Sequence, residues 1–268
     1  MVHPYFDLPT PIAIGHRGAA GEAPENTLPS FERAVAEGVA ILESDVHLTR
    51  DGEAVIFHDA ALDRTTDAAG PLAERSLAEL RRLDAGYRFS PDGGRSFPFR
   101  GLAIGIPTLA EALQSFPAMR FNLEIKAATP GLIERTLELV APRAATTLLA
   151  AAHDGIMADL RARVAESGVA VAIGASAGDV LGFVRAALDG KPPPPGPMAL
   201  QVPPDFGGRP LVTRRFVEHA HAHGLHVHVW TVNEPAEIER LLDLGVDGVM
   251  SDFPGRVVAA IASRRAGG

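Results

Sequence analysis

An α/β chain closed into a (β/α)8 barrel is what this sequence predicts, on three observations. Short apolar, often β-branched runs alternate with segments whose apolar residues recur at helical spacing. Glycine marks the point where several of those segments give way to the next run, at Gly38, Gly168, Gly224 and Gly245, the usual punctuation of a helix C-terminus. The length, 268 residues, suits one such barrel better than an open sheet. Alternation of this kind implies parallel strands with crossover helices; an open doubly wound sheet is the alternative architecture.

In chain order, the strand-like runs are Pro11–Gly15, Ala40–Val46, Ala54–Phe57, Arg120–Ile125, Thr147–Ala151, Val169–Ile173, Met198–Val202, Leu225–Val232 and Val246–Met250. Helical spacing fills Thr27–Glu37, Pro130–Leu139, Ile156–Glu166, Val180–Leu188, Thr213–Ala222 and Pro235–Leu244. Nine runs must fit eight places. The surplus is explained by Asp51-Gly52, a strong two-residue hairpin signal: Ala54–His58 folds back antiparallel on the second strand. With that turn His58 lies opposite Asp45 and Ile56 opposite His47, and directly opposed residues share a face.

Two stretches break the rhythm. Residues 60–107 hold one helix candidate, Ser76–Leu83, and the turn-rich Gly86–Gly94, and read as an insertion over the C-terminal mouth of the barrel. The run Lys191–Pro197 is too proline-rich for a helix or a central strand and reads as a stiff surface loop. No second domain is apparent, so residues 1–268 read as one.

Composition narrows the function. Hydrophobic residues at 46% and charged residues at 22% are ordinary for a globular chain and argue against disorder. Cysteine is absent, which excludes disulfides, a thiolate nucleophile and Cys-ligated zinc. A formal net charge of −8 argues against nucleic-acid binding. The opening MVHPYFDLPTP has neither a basic n-region nor an apolar run, and no window approaches the roughly 18 apolar residues of a membrane span. A cytoplasmic protein without stable membrane insertion is the expectation; nothing in the sequence specifies an oligomeric state.

Active sites of such barrels sit at the C-terminal ends of the strands. There the sequence places His16 and Arg17 after the first strand and Glu43 and Asp45 two apart, hence on one face of the second. His58 and Asp59 end the hairpin arm, Asn122, Glu124 and Lys126 share a face of the next strand, and Trp230, Thr231 and Asn233 follow a late one. Three carboxylates in one mouth need a cation or raised pKa values, and an all-oxygen set suits Ca²⁺ or Mg²⁺. Arg17 and Lys126 can bind an anion, Arg by two hydrogen bonds. His16 and His58 can exchange protons on opposite sides of a phosphorus centre. Together these make a phosphoryl-transfer site.

The order and spacing of His16-Arg17-Gly18, Pro24-Glu25-Asn26-Thr27, Glu43-Ser44-Asp45-Val46, Thr49-Arg50-Asp51-Gly52, His58-Asp59, Leu62-Asp63-Arg64-Thr65-Thr66, Asn122–Lys126, Trp230-Thr231-Val232-Asn233 and Gly245-Val246-Asp247-Gly248 resemble the glycerophosphodiester phosphodiesterases from about residue 12 to 254. The resemblance implies a TIM barrel with an inserted substrate-side segment. It implies His16 and His58 as acid–base catalysts, Glu43, Asp45 and Glu124 as ligands of one divalent metal ion, Arg17 and Lys126 on the phosphate, and Trp230 in the alcohol pocket. The substrate would be a small-molecule phosphodiester, split to glycerol 3-phosphate and an alcohol through a cyclic phosphate. The family's usual Thr before the final Asp is Ser251 here. Gly86–Gly105 is longer than in compact members and is expected to cover the pocket, which admits a lysophospholipase D-like substrate; a non-catalytic phosphate-binding barrel is the rival from outside enzymes. Glu25 and Asn26 are expected to cap the first helix and brace the His16 loop, and Asp59 and Asp63 to stabilise loops. His219, His221, His223, His226 and His228 invite a metal reading, but there is no HExxH, and a polar helix face followed by a strand accounts for the run.

Overall fold

A computed structural model describes residues 3–267. Its strands are β1 (Ile12–Gly15), β2 (Ile41–Leu48), β3 (Ala54–Ile56), β4 (Arg120–Ile125), β5 (Thr147–Ala150), β6 (Ala172–Ile173), β7 (Ala199–Val202), β8 (Asp205–Phe206), β9 (Arg209–Pro210), β10 (His226–Val229) and β11 (Gly248–Ser251). The helices are α1 (Leu28–Glu37), α2 (Leu77–Leu80), α3 (Leu109–Ser115), α4 (Leu132–Val140), α5 (Asp154–Ser167), α6 (Ala177–Asp189), α7 (Arg214–Ala222), α8 (Pro235–Leu244) and α9 (Pro254–Gly267).

Eight parallel strands run in the order β6-β5-β4-β2-β1-β11-β10-β7. The last gap is bridged where the Met198 N–H donates to the Ile173 carbonyl at 2.8 Å, so the sheet closes into the expected (β/α)8 barrel. One apolar core runs between the strands and the helices around them. A separate small core joins Val55 and Phe57 of the hairpin arm to Leu62, Leu72 and Leu80 of the inserted segment.

All nine strand-like runs form strands, and β3 returns antiparallel on β2 as expected. The register differs by one residue: Val46 pairs with Ile56 and His47 with Val55. The turn holds three residues, Arg50-Asp51-Gly52, inside a Thr49 N–H to Glu53 O bond of 2.9 Å. Gly52 takes the left-handed conformation at φ 83, the arrangement of a three-residue hairpin loop.

Two helices go beyond the sequence expectation, α3 and α9. The signal for α3 is a capping box: Thr108 Oγ1 accepts from the Glu111 N–H at 3.1 Å, and Glu111 Oε2 accepts from the Thr108 N–H at 2.8 Å. Both partners satisfy helix-start groups that nothing else bonds. Thr108→Ala is therefore expected to cost about 1 kcal/mol and to lower the thermal midpoint by roughly 2–4 °C, read by calorimetry; an unchanged midpoint would remove the box from the account.

Candidate active site

The side chains of His16, Arg17, Glu43, Asp45, His58, Glu124, Lys126 and Trp230 all line one cavity of about 460 Å³. It opens at the C-terminal ends of the strands. The parallel register between β2 and β4 sets Glu43 beside Asn122 and Asp45 beside Glu124, which collects the acidic groups. The hairpin does not place His58 by opposition to Asp45, as the two-residue turn would have required. Phe57 donates to the Asp45 carbonyl at 3.0 Å, the ladder stops at Ile56, and the chain turns His58 into the cavity while His47 Nε2 bonds its carbonyl at 3.0 Å.

Glu43 and Asp45 are buried, at 6% and 1% exposure. Burial first, then the Asp45 charge, pushes the Glu43 carboxyl up to about 7. Positive and polar groups gather on the pair. The Arg17 N–H donates to Glu43 Oε2 at 2.9 Å, and Asn26 Nδ2 donates to Asp45 Oδ2 at 2.8 Å. Lys126 Nζ stands 3.5 Å from Asp45 and 3.3 Å from Glu124. The Arg17 Nε is buried without a hydrogen bond and faces Asp45 Oδ2 as an ion pair at 3.5 Å.

The loop that presents His16 and Arg17 is tightly held. Arg17 and Asn26 have φ of 50 and 58, a backbone state that costs of order 1–3 kcal/mol and recurs at functional sites. Gly18, at φ 87, lies so close to α1 that a Cβ there would meet the Ser30 carbonyl carbon at 2.6 Å. The Ser30 hydroxyl donates to the Arg17 carbonyl at 2.9 Å. Thr27, not Glu25 or Asn26, caps α1. Asn26 is spent on Asp45, and Glu25 accepts from Arg17 at 2.8 Å and from Arg64 at 2.6 and 2.7 Å.

Each histidine has a carboxylate behind it, which the sequence reading did not assign. His16 Nδ1 bonds Asp252 Oδ1 at 2.6 Å, and Asp252 in turn accepts from Asn233 Nδ2 at 2.7 Å. His58 Nδ1 bonds Asp59 Oδ1 at 2.6 Å, and Asp59 accepts from Arg64 Nε at 2.6 Å. A carboxylate can only accept, so each imidazole presents its Nδ1–H to its Asp and turns Nε2 away from it; His16 Nε2 lies 3.5 Å from the Thr231 hydroxyl. Burial, the largest influence on His16, lowers its pKa, but the bond to Asp252 with the Glu43 and Asp252 charges outweighs it and leaves it raised. Burial would raise Asp59; the hydrogen bonds from Arg64 and His58 prevail and hold it down at about 2. The available signal was adjacency for Asp59; for Asp252 it was the Asp after Ser251 in the last strand-end string. Asp63 does stabilise its loop, accepting from the Gly70 N–H at 2.9 Å.

The inserted segment meets the mouth through Arg64, yet none of residues 60–107 lines the cavity; the expectation that Gly86–Gly105 covers it is not met, because that stretch folds on the segment's own core. The histidine run resolves into separate structural contacts. His221 bonds Asp247 at 2.8 Å, His226 stacks on Phe6 at 4.2 Å, His223 bonds the His219 carbonyl, and His228 is fully buried and pushed down to about 4. No helix among the described residues is long and apolar enough to cross a membrane.

Residues 16–160 and 191–256 match the model of the glycerophosphoryl diester phosphodiesterase family. A probable glycerophosphodiester phosphodiesterase of Mycobacterium tuberculosis is 32% identical over 251 residues, 90% of this chain and 87% of that relative. A lysophospholipase D of Mus musculus is 30% identical over 266 residues, 90% of this chain and 83% of its own length. The solved structure of an Oleispira antarctica phosphodiesterase in complex with the product sn-glycerol-3-phosphate superposes with a TM-score of 0.75 at 31% identity, covering 94% of this chain and 97% of that one.

The His16–Asp252 pair makes a direct prediction. In an NMR titration the His16 ring is expected to titrate above the ordinary value of about 6.5. Asp252→Asn removes the charge and the strong acceptor but leaves the burial, so the midpoint should fall. An unmoved midpoint would show that Asp252 does not set the protonation of His16.

Proposed function

The chain belongs to the glycerophosphoryl diester phosphodiesterase family and is a phosphoric diester hydrolase, and on that premise we propose that it cleaves glycerophosphodiesters to glycerol 3-phosphate and an alcohol by paired-histidine acid–base catalysis. The observation that carries this reading is the pair of imidazoles in one cavity, each backed at Nδ1 by a carboxylate, beside three carboxylates and two cationic side chains.

The steps follow from that arrangement. Arg17 and Lys126, which both line the cavity, bind the phosphate oxygens. One histidine Nε2 takes the proton of the glycerol 2-hydroxyl as its oxygen bonds to phosphorus. The other, as imidazolium, gives a proton to the departing alcohol oxygen as that P–O bond breaks. The roles then reverse. A water loses a proton as it adds to phosphorus, the ring P–O bond to the 2-oxygen breaks, that oxygen is protonated, and glycerol 3-phosphate is left. Asp252 and Asp59 keep both rings in the tautomer these transfers need. Trp230, 41% exposed at the rim, faces the alcohol.

Glu43, Asp45 and Glu124 fit a divalent cation. Among the described residues no three His, Asp or Glu side chains already form a coordination cluster, since the acidic groups lie against Arg17 and Lys126. Glu43 and Asp45 nevertheless share one face of β2 with Glu124 beside Asp45 on β4, and an all-oxygen donor set suits Ca²⁺ or Mg²⁺. Bound there, the ion supplies positive charge to phosphate and hydroxyl oxygens.

Two measurements test the reading. His16→Ala and His58→Ala are each expected to lower kcat by about 10²–10⁴-fold with an unchanged circular dichroism spectrum; wild-type turnover by either variant ends the assignment. Exhaustive EDTA treatment is expected to abolish turnover, with Ca²⁺ or Mg²⁺ restoring it and raising the thermal midpoint. Full activity in the chelated enzyme would remove the metal from the proposal.

A further inference from the structure

Arg64 does not line the cavity, yet its guanidinium holds two of the residues behind the groups that do. Its Nε and Nη2 form one edge and reach both oxygens of Asp59, at 2.6 and 3.1 Å. Its Nη1 and Nη2 form the other edge and reach both oxygens of Glu25, at 2.6 and 2.7 Å. Four of the five N–H donors of the fork are thereby used. Glu25 Oε1 also accepts from Arg17 Nη1 at 2.8 Å, and Asp59 Oδ1 also bonds His58 Nδ1 at 2.6 Å. One side chain therefore stands between the histidine of the hairpin arm and the guanidinium of the first loop.

Exposed ion pairs contribute little as a rule, but double-edged, networked arginine pairs are the exception. The position of Arg64 is also fixed from outside the barrel. It ends a single turn of 3-10 helix, Leu62–Arg64. Leu62 is fully buried in the segment's own core, and its carbonyl accepts from the Thr66 hydroxyl at 2.9 Å. Arg88 closes the same loop, its Nε donating to the Thr66 carbonyl at 2.9 Å. Without Arg64, two half-buried carboxylates would keep only His58 and Arg17 as partners. Asp59 would be free to swing the imidazole, and Glu25 would pull Arg17 off the phosphate position.

We propose that Arg64 is a positioning residue that links phosphate binding to proton transfer: through Glu25 it sets the grip of Arg17, and through Asp59 it sets the aim of His58. The inference rests on the phosphodiesterase reading and deepens it. Such linkage is reciprocal, so a phosphate that orders Arg17 also steadies His58.

The two arms separate in a double-mutant cycle. With glycerophosphocholine as substrate, Arg64→Ala should lower kcat about 10–100-fold and raise KM about 10-fold, with an unchanged circular dichroism spectrum. In an Asp59→Asn background the same change should leave kcat nearly as it is and still raise KM; in a Glu25→Gln background it should still lower kcat and leave KM. Arg64→Lys keeps the charge but cannot span both carboxylates, so kcat or KM should remain impaired about 10-fold, and this variant carries the test if the Ala variant does not fold. Binding is read apart from turnover through the fluorescence of Trp230, the single tryptophan, titrated with glycerol 3-phosphate; Arg64→Ala should bind it about 10-fold more weakly. Equal costs of Arg64→Ala in all three backgrounds, wild-type kinetics in the Lys variant, or a lowered thermal midpoint with kcat, KM and phosphate affinity unchanged would make Arg64 a structural brace and overturn the proposal. A wild-type protein that splits no glycerophosphodiester but loses glycerol 3-phosphate affinity on Arg64→Ala would instead sink the phosphodiesterase reading and leave the link from Arg64 to Arg17 standing.

Discussion

The buried pair Glu43 and Asp45 is the constraint around which the mouth of this barrel is organised. Two carboxylates on one face of a central strand, both almost without solvent, carry a desolvation cost that only close positive charge and hydrogen bonds can offset. The molecule answers from four directions. The His16 loop supplies a backbone N–H from Arg17, the start of α1 supplies Asn26, β4 supplies Lys126, and the Arg17 guanidinium lies across the front. The strained backbone of Arg17 and Asn26 and the packing of Gly18 against Ser30 follow from this need, because a relaxed loop would not bring both donors onto the acids.

The two histidines are supported alike but from different materials. Behind His16 stands Asp252, steadied by Asn233 and by the closing strand of the barrel. Behind His58 stands Asp59, steadied by Arg64, which also grips Glu25, the residue that holds Arg17. One support belongs to the barrel, the other to the inserted segment. The segment's contribution to the site is therefore mechanical: it fixes the carboxylate behind one imidazole and ties it to the opposite loop, and it forms no wall of the cavity.

Most of this was legible in order and spacing. Strand positions are declared by apolar runs, and residues two apart on a strand must share a face, so Glu43 with Asp45 and Glu124 with Lys126 could be grouped without coordinates. What was not legible depended on local geometry finer than periodicity. Asp51-Gly52 looks like a two-residue turn, but the Thr49 to Glu53 bond closes three residues, which shifts the pairing by one. His58 still reaches the cavity because the ladder ends before it, something no register rule could supply. α3 was written in the Thr108/Glu111 capping box, a short signal beside a turn-rich stretch. The link from His16 to Asp252 joins opposite ends of the chain, and only closure of the barrel between β1 and β11 makes them neighbours.

The mouth has a charged side and an apolar one, where Ala150, Ala151, Ala175, Val180 and Leu211 line the cavity, and the division also follows the quality of strand pairing. β2 and β4 are matched over six residues, and β1 is locked between β2 and β11. That half carries the buried acids and both imidazoles, and continuous ladders hold such groups in place. Across the barrel β6 is two residues long and meets β7 through one N–H. Short, sparsely bonded strands are a poor place to fix a general acid. They are a good place for a wall whose contacts are non-directional, because apolar packing tolerates small displacements that would break a hydrogen bond. The same sheet is therefore continuously paired beneath the charged side of the mouth and sparsely bonded beneath the apolar side.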